Sequence, residues 1–416
     1  MALPYFLAAL RNGQQETQWY RPYANAADGE RVTLTYSFMT SVPEGTATSY
    51  GDPNTSFETY SASEKALVEK ALSIFTASIG VTFRLVTGAA NIEFGQFDLA
   101  RFSGYAYYLY YDKTEGTPYT DTPYGDVWLD VDREAGDRSL ILHEVGHALG
   151  LKHPFEGKAT LPEAQDKTSN TVMSYTWDTE MKTLGVFDVI ALQSVYGPAR
   201  ARLGNDTYVF GRDTLIWDGG GRDTITAAAA KKAVTIDLND GSWNFAGRKT
   251  ASLLSDGQVY LGNFSMIENV TGGRFNDTLT GNELSNRIVG GAGDDRITGG
   301  AGADTLFGGP GADTFVYRAA DDLGSLARFD RIRDFDAGDR IDLRKIDADE
   351  TRGGNQAFTF LGSDSDGIAF TKGRGGQLWY DERRDILFIE TDGDGIADHR
   401  LGIAGLSTLT ADHFLL

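Results

Sequence analysis

Between Gly272 and Val316 the chain repeats at a strict nine-residue interval, as GGRFNDTLT, GNELSNRIV, GGAGDDRIT, GGAGADTLF and GGPGADTFV. The sixth residue of each unit is Asp277, Asn286, Asp295, Asp304 or Asp313, and the eighth is Leu279, Ile288, Ile297, Leu306 or Phe315. This period is neither helical nor simply alternating, so the segment is confined to a stack of like turns. Paired glycines permit turns at positive φ that leave backbone carbonyls free to face a cation, and the acidic sixth residue supplies negative charge. The last three residues of each unit form a short strand whose eighth position points inward, burying an apolar ladder between two small parallel sheets. Calcium between the turns relieves the repulsion of stacked carboxylates, so folding is expected to depend on it. The ligand candidates are Gly273, Asp277, Gly291, Gly293, Asp295, Gly300, Gly302, Asp304, Gly309, Gly311 and Asp313. The second unit is degenerate, with Asn282 and Leu284 in place of glycines and Asn286 in place of Asp. A flexible glycine-rich linker, the competing reading, has no reason to hold that register five times over.

Glycine makes up 50 of the 416 residues, well above a usual share of about 7 %. It crowds together with aspartate from about Gly204 onward, which places a domain boundary near 197–204. The charge balance, 38 − 59 = −21, argues against nucleic acid as a partner and points to cations. With no Cys, a disulfide framework, thiol catalysis and a cysteine-ligated metal are all excluded. No stretch approaches the roughly 18 to 20 continuous apolar residues that cross a bilayer.

Before the boundary, residues 30–43 read as a strand. Ser61 and Glu64 have capping-box spacing ahead of a helix with Leu67, Ala71, Phe75 and Ile79 on one face. Residues 80–86, 90–97, 104–111 and 126–131 read as further strands. This is an α+β pattern, a sheet with helices packed on it. The apolar start MALPYFLAAL lacks a cationic flank and a small-residue cleavage site, so it reads as a segment packed on the domain rather than a removable signal.

The chemistry is concentrated in HEVGHALGLKH, residues 143–153. His143 and His147 are four apart on an evident helix and project from one face, placing two ligands on one ion. Glu144 lies beside them, within reach of a water on that ion. Gly150 lets the helix end in a left-handed turn, so the chain doubles back and brings His153 to the same ion. Three neutral imidazoles leave a coordination position open, as catalytic zinc sites do. These are three of the five histidines in the chain. Met173 in TVMSYT follows His153 by twenty residues and suits a methionine turn beneath the metal, and Tyr175 is placed to bring a phenol to the metal or to a developing oxyanion.

With these motifs the chain resembles the serralysin family, zinc metzincin proteases exported by Gram-negative bacteria that carry a C-terminal calcium-binding parallel β-roll of the RTX kind. The resemblance rests on HEVGHALGLKHP (143–154), VMSYT (172–176), FDVIALQSVYG (187–197), IWDGGGRDT (216–224), IENVTGG (267–273) and the repeats. It implies a metzincin-like α+β catalytic domain over residues 1–199, then an all-β parallel β-roll with a C-terminal secretion signal over residues 200–416. It assigns one catalytic zinc to His143, His147 and His153, the role of base to Glu144, transition-state assistance and a possible zinc contact to Tyr175, and a structural role to Met173. Several structural calcium ions are implied. One of them, at the domain junction, is held through Arg202, Gly204, Asp206, Asp218, Gly220 and Asp223, with Arg202 and Gly204 acting through carbonyls.

The family's upper sheet ends in an edge strand that holds substrate extended. Gly104, Tyr105, Ala106 and Tyr107 match it, an ordinary aromatic strand being the alternative. The implied partners are protein or peptide substrates, an ABC-type secretion apparatus and a proteinaceous protease inhibitor, with no nucleic acid and no membrane span. The tail Asp412-His413-Phe414-Leu415-Leu416 resembles the acidic-then-apolar end by which the family leaves the cell without a signal peptide, so an extracellular location follows. The segments before the motif and between His153 and Met173 are shorter than the family's, which leaves little room for a propeptide.

Under this reading the zinc polarises its bound water, Glu144 takes a proton as that water attacks a peptide carbonyl, and the leaving amine receives the proton. The competing class is a calcium-binding surface or adhesive protein with an inactive protease domain. The intact set His143, Glu144, His147, His153 and Tyr175 argues against it. Near the C-terminus Asp392, Asp394 and Asp398 are spaced somewhat like a calcium loop, with an acidic turn between hairpin strands as the other reading.

Overall fold

The computed structural model describes residues 4–11, 32–43, 46, 52–99, 102–108, 125–131, 137–200, 202–349 and 351–416. They divide into two compact units, Met1–Ala201 with Gly262–Phe264, and Arg202–Leu261 with Ser265–Leu416.

The first unit holds strands β1 (Val32–Phe38), β2 (Val81–Leu85), β3 (Ile92–Phe97), β4 (Gly104–Ala106) and β5 (Val127–Asp130) in the order β2-β1-β3-β5-β4. All neighbours are parallel except β4, which runs antiparallel to β5 and closes the sheet as its edge among the described residues. The strand expected over 104–111 is therefore only three residues long in the described part, and its end at 109–111 lies outside the described residues, as do 30 and 31.

Among the described residues the helices of this unit are α1 (Tyr5–Leu10), α2 (Pro53–Ser56), α3 (Ala62–Ser78), α4 (Arg138–Ala148) and α5 (Val186–Tyr196). Both halves of the Ser61–Glu64 capping box are present, and α3 buries Val68, Ala71, Leu72 and Phe75. The apolar start of the chain is a packed helix. Phe6 and Leu10 of α1 are fully buried, and the Phe6 ring stacks on Phe187 of α5 at 5.6 Å.

In the second unit every nonapeptide ends in a three-residue strand, and successive strands alternate between two sheets. Thr278–Thr280, Arg296–Thr298 and Thr314–Val316 lie parallel in one sheet, with Leu279, Ile297 and Phe315 in register. Asn269–Thr271, Arg287–Val289 and Thr305–Phe307 lie parallel in the other, with Ile288 opposite Leu306. All five eighth-position side chains are essentially inaccessible to solvent. This ladder supplies the hydrophobic driving force, since strands of three residues contribute little by themselves.

Candidate metal centre and cation sites

The metal candidates of the first unit hang on α4, which packs against β4 and β5. Asp137 caps its N-terminus by accepting from the Ser139 amide at 2.8 Å. Leu149 ends the helix, and Gly150 reverses the chain at φ +106°, a region that side chains with a Cβ avoid.

That reversal brings His153 back to the helix face. Its Nε2 lies 3.2 Å from Nε2 of His143 and 3.1 Å from Nε2 of His147. The other nitrogen of each ring is committed elsewhere. His143 Nδ1–H donates to the Val172 carbonyl at 2.7 Å and His147 Nδ1–H to the Leu151 carbonyl at 2.8 Å, because a carbonyl can only accept. His153 Nδ1 meets the Glu156 carboxylate at 2.8 Å.

The Nε2 lone pairs of His143 and His147 are thus both turned toward Nε2 of His153. Such an arrangement suits a cation at the centre. Ligands at about 2.0 to 2.1 Å from a tetrahedral ion sit about 3.3 to 3.4 Å apart, close to the spacing found. Burial pushes His143 down to about 4, and burial together with the other two rings lowers His147 well below the usual histidine range, so both remain neutral and able to ligate.

Glu144 is 4 % exposed, and its Oε2 has no hydrogen-bond partner. Burial pushes this carboxyl up to about 8. Gly104 of the edge strand is what makes room for it. A Cβ there would lie 2.9 Å from Oε1 and 3.0 Å from Cγ of Glu144. The Tyr105 ring turns the other way, stacking with Trp128 at 6.5 Å, while the Tyr107 amide donates to the Asp126 carbonyl. Tyr175 is 68 % exposed, and its hydroxyl lies 2.9 Å from His153 Nε2. Gly104→Ala is accordingly expected to displace the carboxylate and, on the peptidase reading implied by the sequence resemblance, to lower kcat/KM for peptide hydrolysis by about 10²-fold. A kinetic assay with metal analysis checks this, the metal content staying unchanged.

Met173 is fully buried below the helix, its sulfur 2.9 Å from where a Cβ on Gly146 would stand. The loop around it is fastened by Asp188, a residue to which the sequence reading gave no role. One Asp188 oxygen accepts from Thr171 Oγ1 at 2.6 Å, and the other from the amides of Val172 and Gly185 at 2.8 Å each. Asp188 thereby positions the Val172 carbonyl that orients His143, an outer support of the kind metal-binding histidines have. Its place three residues after Gly185, in the first turn of α5, was the available signal. Leu151, Val172 and Glu156, the partners of the Nδ1 atoms, had none.

Burial raises Asp188 from 3.8 to about 6 despite these three donors. The folded protein therefore holds a proton that the unfolded chain releases between about pH 4 and 6. The associated stability is complete below that window and lost as the pH rises through it, by at most about 3 kcal/mol. Asp188→Asn is expected to flatten this slope, and to cost about 1–3 kcal/mol near pH 7 because its NH₂ faces a donor. Thermal unfolding of both proteins from pH 4 to 7 measures the difference.

In the second unit the carboxylates of Asp206, Asp218 and Asp223 lie with ligand atoms within 4.8 Å of one another, and Asp218 and Asp223 are fully buried. Arg202 adopts φ +58°, unusual for a residue with a side chain, and Gly221 approaches the Gly204 carbonyl so closely that its added Cβ would overlap it at 1.9 Å. Gly220 sits alongside, its amide donating to Asp218 at 2.6 Å.

The repeat aspartates share one arrangement. One oxygen of Asp295, Asp304 or Asp313 accepts the amide two turns earlier, from Asp277, Asn286 or Asp295, at 2.7 to 2.8 Å. The other oxygen of each is buried with no partner, the condition a bound cation would relieve. Burial, opposed by amide donors and reinforced by neighbouring aspartates, raises Asp295 and Asp313 to about 7 and Asp304 to about 8.

Asp277 differs, because the Gly273 amide donates to its second oxygen at 2.6 Å. Gly291, Gly300, Gly302, Gly309 and Gly311 all adopt positive φ and are each approached by the carbonyl eighteen residues earlier, as at Gly309 and Gly291. Gly293 likewise has φ +115°. In the degenerate second turn, amides do what a cation would do elsewhere. Asn282 Nδ2 donates to the carbonyls of Leu238 and Ile267, and Asn286 Nδ2 to those of Glu268 and of the Asn282 side chain.

Three inward-facing imidazole nitrogens beside a buried carboxyl define a metal-binding centre, set in a chain whose second half stacks parallel strands under acidic turns. The chain belongs to the serralysin family. The profile described as Peptidase M10 serralysin C terminal matches residues 200–415. Metallopeptidase AprA of Pseudomonas marginalis is 33% identical over 95% of this chain and 90% of its own length. Serralysin A of Dickeya chrysanthemi is 33% identical over 92% and 85%, and the serralysin of Photorhabdus laumondii 34% identical over 78% and 74%.

Proposed function

We propose that this protein is an extracellular zinc endopeptidase of the metzincin kind, with a catalytic domain over residues 1–199 and a calcium-stabilised β-roll of RTX type over residues 200–416. The observation that carries the reading is the convergence of the His143, His147 and His153 Nε2 atoms next to a buried Glu144 carboxyl whose Oε2 has no hydrogen-bond partner. These three imidazoles would hold the zinc. When bound, the ion supplies Lewis acidity toward water and toward the scissile carbonyl.

Everything else falls to the chain. β4 offers its edge for an extended peptide to pair along Gly104 to Tyr107. Glu144 takes a proton from the water that attacks the carbonyl carbon. As the C–N bond breaks, the same carboxyl returns that proton to the leaving amine. Tyr175, through its hydroxyl, donates to the oxyanion. The Asp206, Asp218 and Asp223 cluster and the repeat aspartates bind calcium, as the orphaned buried oxygens support. The relatives' names, metallopeptidase and serralysin, agree with protein substrates. Export by an ABC-type apparatus, and control by a proteinaceous inhibitor, complete the proposal.

The test is hydrolysis of a denatured protein by the full chain in calcium, with and without a zinc-selective chelator. Cleavage that disappears on chelation and returns with added Zn²⁺ supports the reading. A folded, zinc-loaded chain that cleaves nothing favours the alternative, a calcium-binding protein without activity.

A further inference from the structure

The strands Gln377–Asp381, Ile386–Glu390 and His399–Ile403 form an antiparallel run, and the loop joining the last two reads Glu390-Thr391-Asp392-Gly393-Asp394-Gly395-Ile396-Ala397-Asp398. Carboxylate oxygens of Glu390, Asp392 and Asp398 all lie within 4.8 Å of one another. Three clustered acids alone would be an ordinary acidic turn. Glu390 makes this one different.

Its side chain is 0 % exposed, and neither Oε1 nor Oε2 has a hydrogen-bond partner. The Gly393 and Gly395 amides face the carboxyl closely enough to favour its charged form without bonding to it, while burial, Asp398 and Asp392 disfavour that form. Among the described residues no lysine or arginine makes an ion pair with any of the three. A buried carboxyl aimed at two others, with amides near it but no hydrogen bond formed and no cationic side chain paired with it among the described residues, lacks a positive partner.

We infer that the 390–398 loop is a calcium site of its own, separate from the nonapeptide turns and the Asp218 cluster, held by the carboxylates of Glu390, Asp392 and Asp398. An oxygen-only donor set selects a hard cation. The order agrees with a calcium loop that uses positions one, three, five, seven and nine. Glu390 stands first, Asp392 third, Asp394 fifth, Ile396 seventh with its carbonyl, and Asp398 ninth. Gly395 occupies the sixth place at φ +83°, where such loops turn sharply. The twelfth place, a bidentate glutamate in tight loops, is Leu401, which is fully buried in the following strand. The site is therefore a weak one, with a dissociation constant of about 10⁻⁴ to 10⁻³ M, as in extracellular modules. It ties the hairpin end in the presence of outside calcium, independently of the activity proposed above.

Hydrogen exchange on the full chain tests this, with Ca²⁺ titrated through the millimolar range into wild type, Glu390→Gln and Asp392→Asn. Asp392 is exposed, so the second variant does not depend on a buried replacement folding. The expected result is a rise in amide protection of 391–398 of about tenfold or more in wild type and none in either variant, with the strands at 278–316 responding alike in all three. Equal calcium-dependent protection of the loop in wild type and Asp392→Asn overturns the site. So does a calcium anomalous map from crystals grown in Ca²⁺ that shows density at the nonapeptide turns and none between Glu390 and Asp398.

Discussion

Exchanging Glu144 for alanine is expected to reduce peptide hydrolysis by about 10²- to 10⁴-fold or more while each chain keeps one zinc. The carboxyl lies beside the three imidazoles, but its own oxygens take no part in the ring of close Nε2 contacts. On the proposed function, its loss removes a proton carrier rather than a ligand. Burial raises its proton affinity, which suits a group that must accept a proton from water and surrender it to an amine within one turnover. Glu144→Gln keeps the shape and loses the basicity, so it should fail equally. Rates within about threefold of wild type in either variant would remove Glu144 from the role of base. Loss of zinc together with loss of activity would instead make it a structural support of the centre.

Withdrawing calcium is the second large effect. In the second unit Asp295, Asp304, Asp313 and Asp330 each bury an oxygen without a partner, burial raises the proton affinity of both Asp304 and Asp330, and the Asp330 charge raises that of Asp304 further. Leaving one such group uncompensated costs about 1 to 3 kcal/mol, more when it is charged, and several together exceed the few kcal/mol by which a domain of this size is stable. Addition of a calcium chelator is thus expected to abolish the β signal of residues 202–416 in circular dichroism, and restored calcium to recover it. The second nonapeptide should contribute nothing to this dependence, because its Asn282 and Asn286 amides already satisfy the turn. A chelated chain that keeps its strands, by hydrogen exchange as well as by dichroism, would show that the Leu279 to Phe315 ladder suffices without ions.

The repeat was legible because one residue type was needed at one place in every turn. Glycine is required where the backbone of the turn two units away comes within a Cβ's distance, as at Gly309 above the Gly291 carbonyl, and an apolar residue is required wherever a strand faces the ladder. Such demands recur with the period of the structure, and a periodic demand leaves a periodic sequence. The helix of the metal centre was legible for a related reason, since ligands four apart on α4 and a glycine at the reversal are local requirements. Glu390 shows the boundary of that kind of reading. Asp392, Asp394 and Asp398 announce an acidic loop, yet what separates a cation site from a polar turn is the complete burial of a glutamate at the end of the preceding strand.

Local sequence therefore determined the elements that close on themselves: the nonapeptide turns with their inward Leu, Ile and Phe, the HEVGHALGLKH helix with its left-handed exit at Gly150, and the capped helix α3. Tertiary structure alone decided what meets what. Gly104 is needed because β4 lies against α4 at Glu144, and Asp188 matters because α5 presents it to the loop whose carbonyl orients His143. These contacts join residues 40 or more positions apart, Gly104 with Glu144 and His143 with Asp188. No short-range periodicity records them, because the packing of whole elements, and not the conformation of any one, brings the groups together.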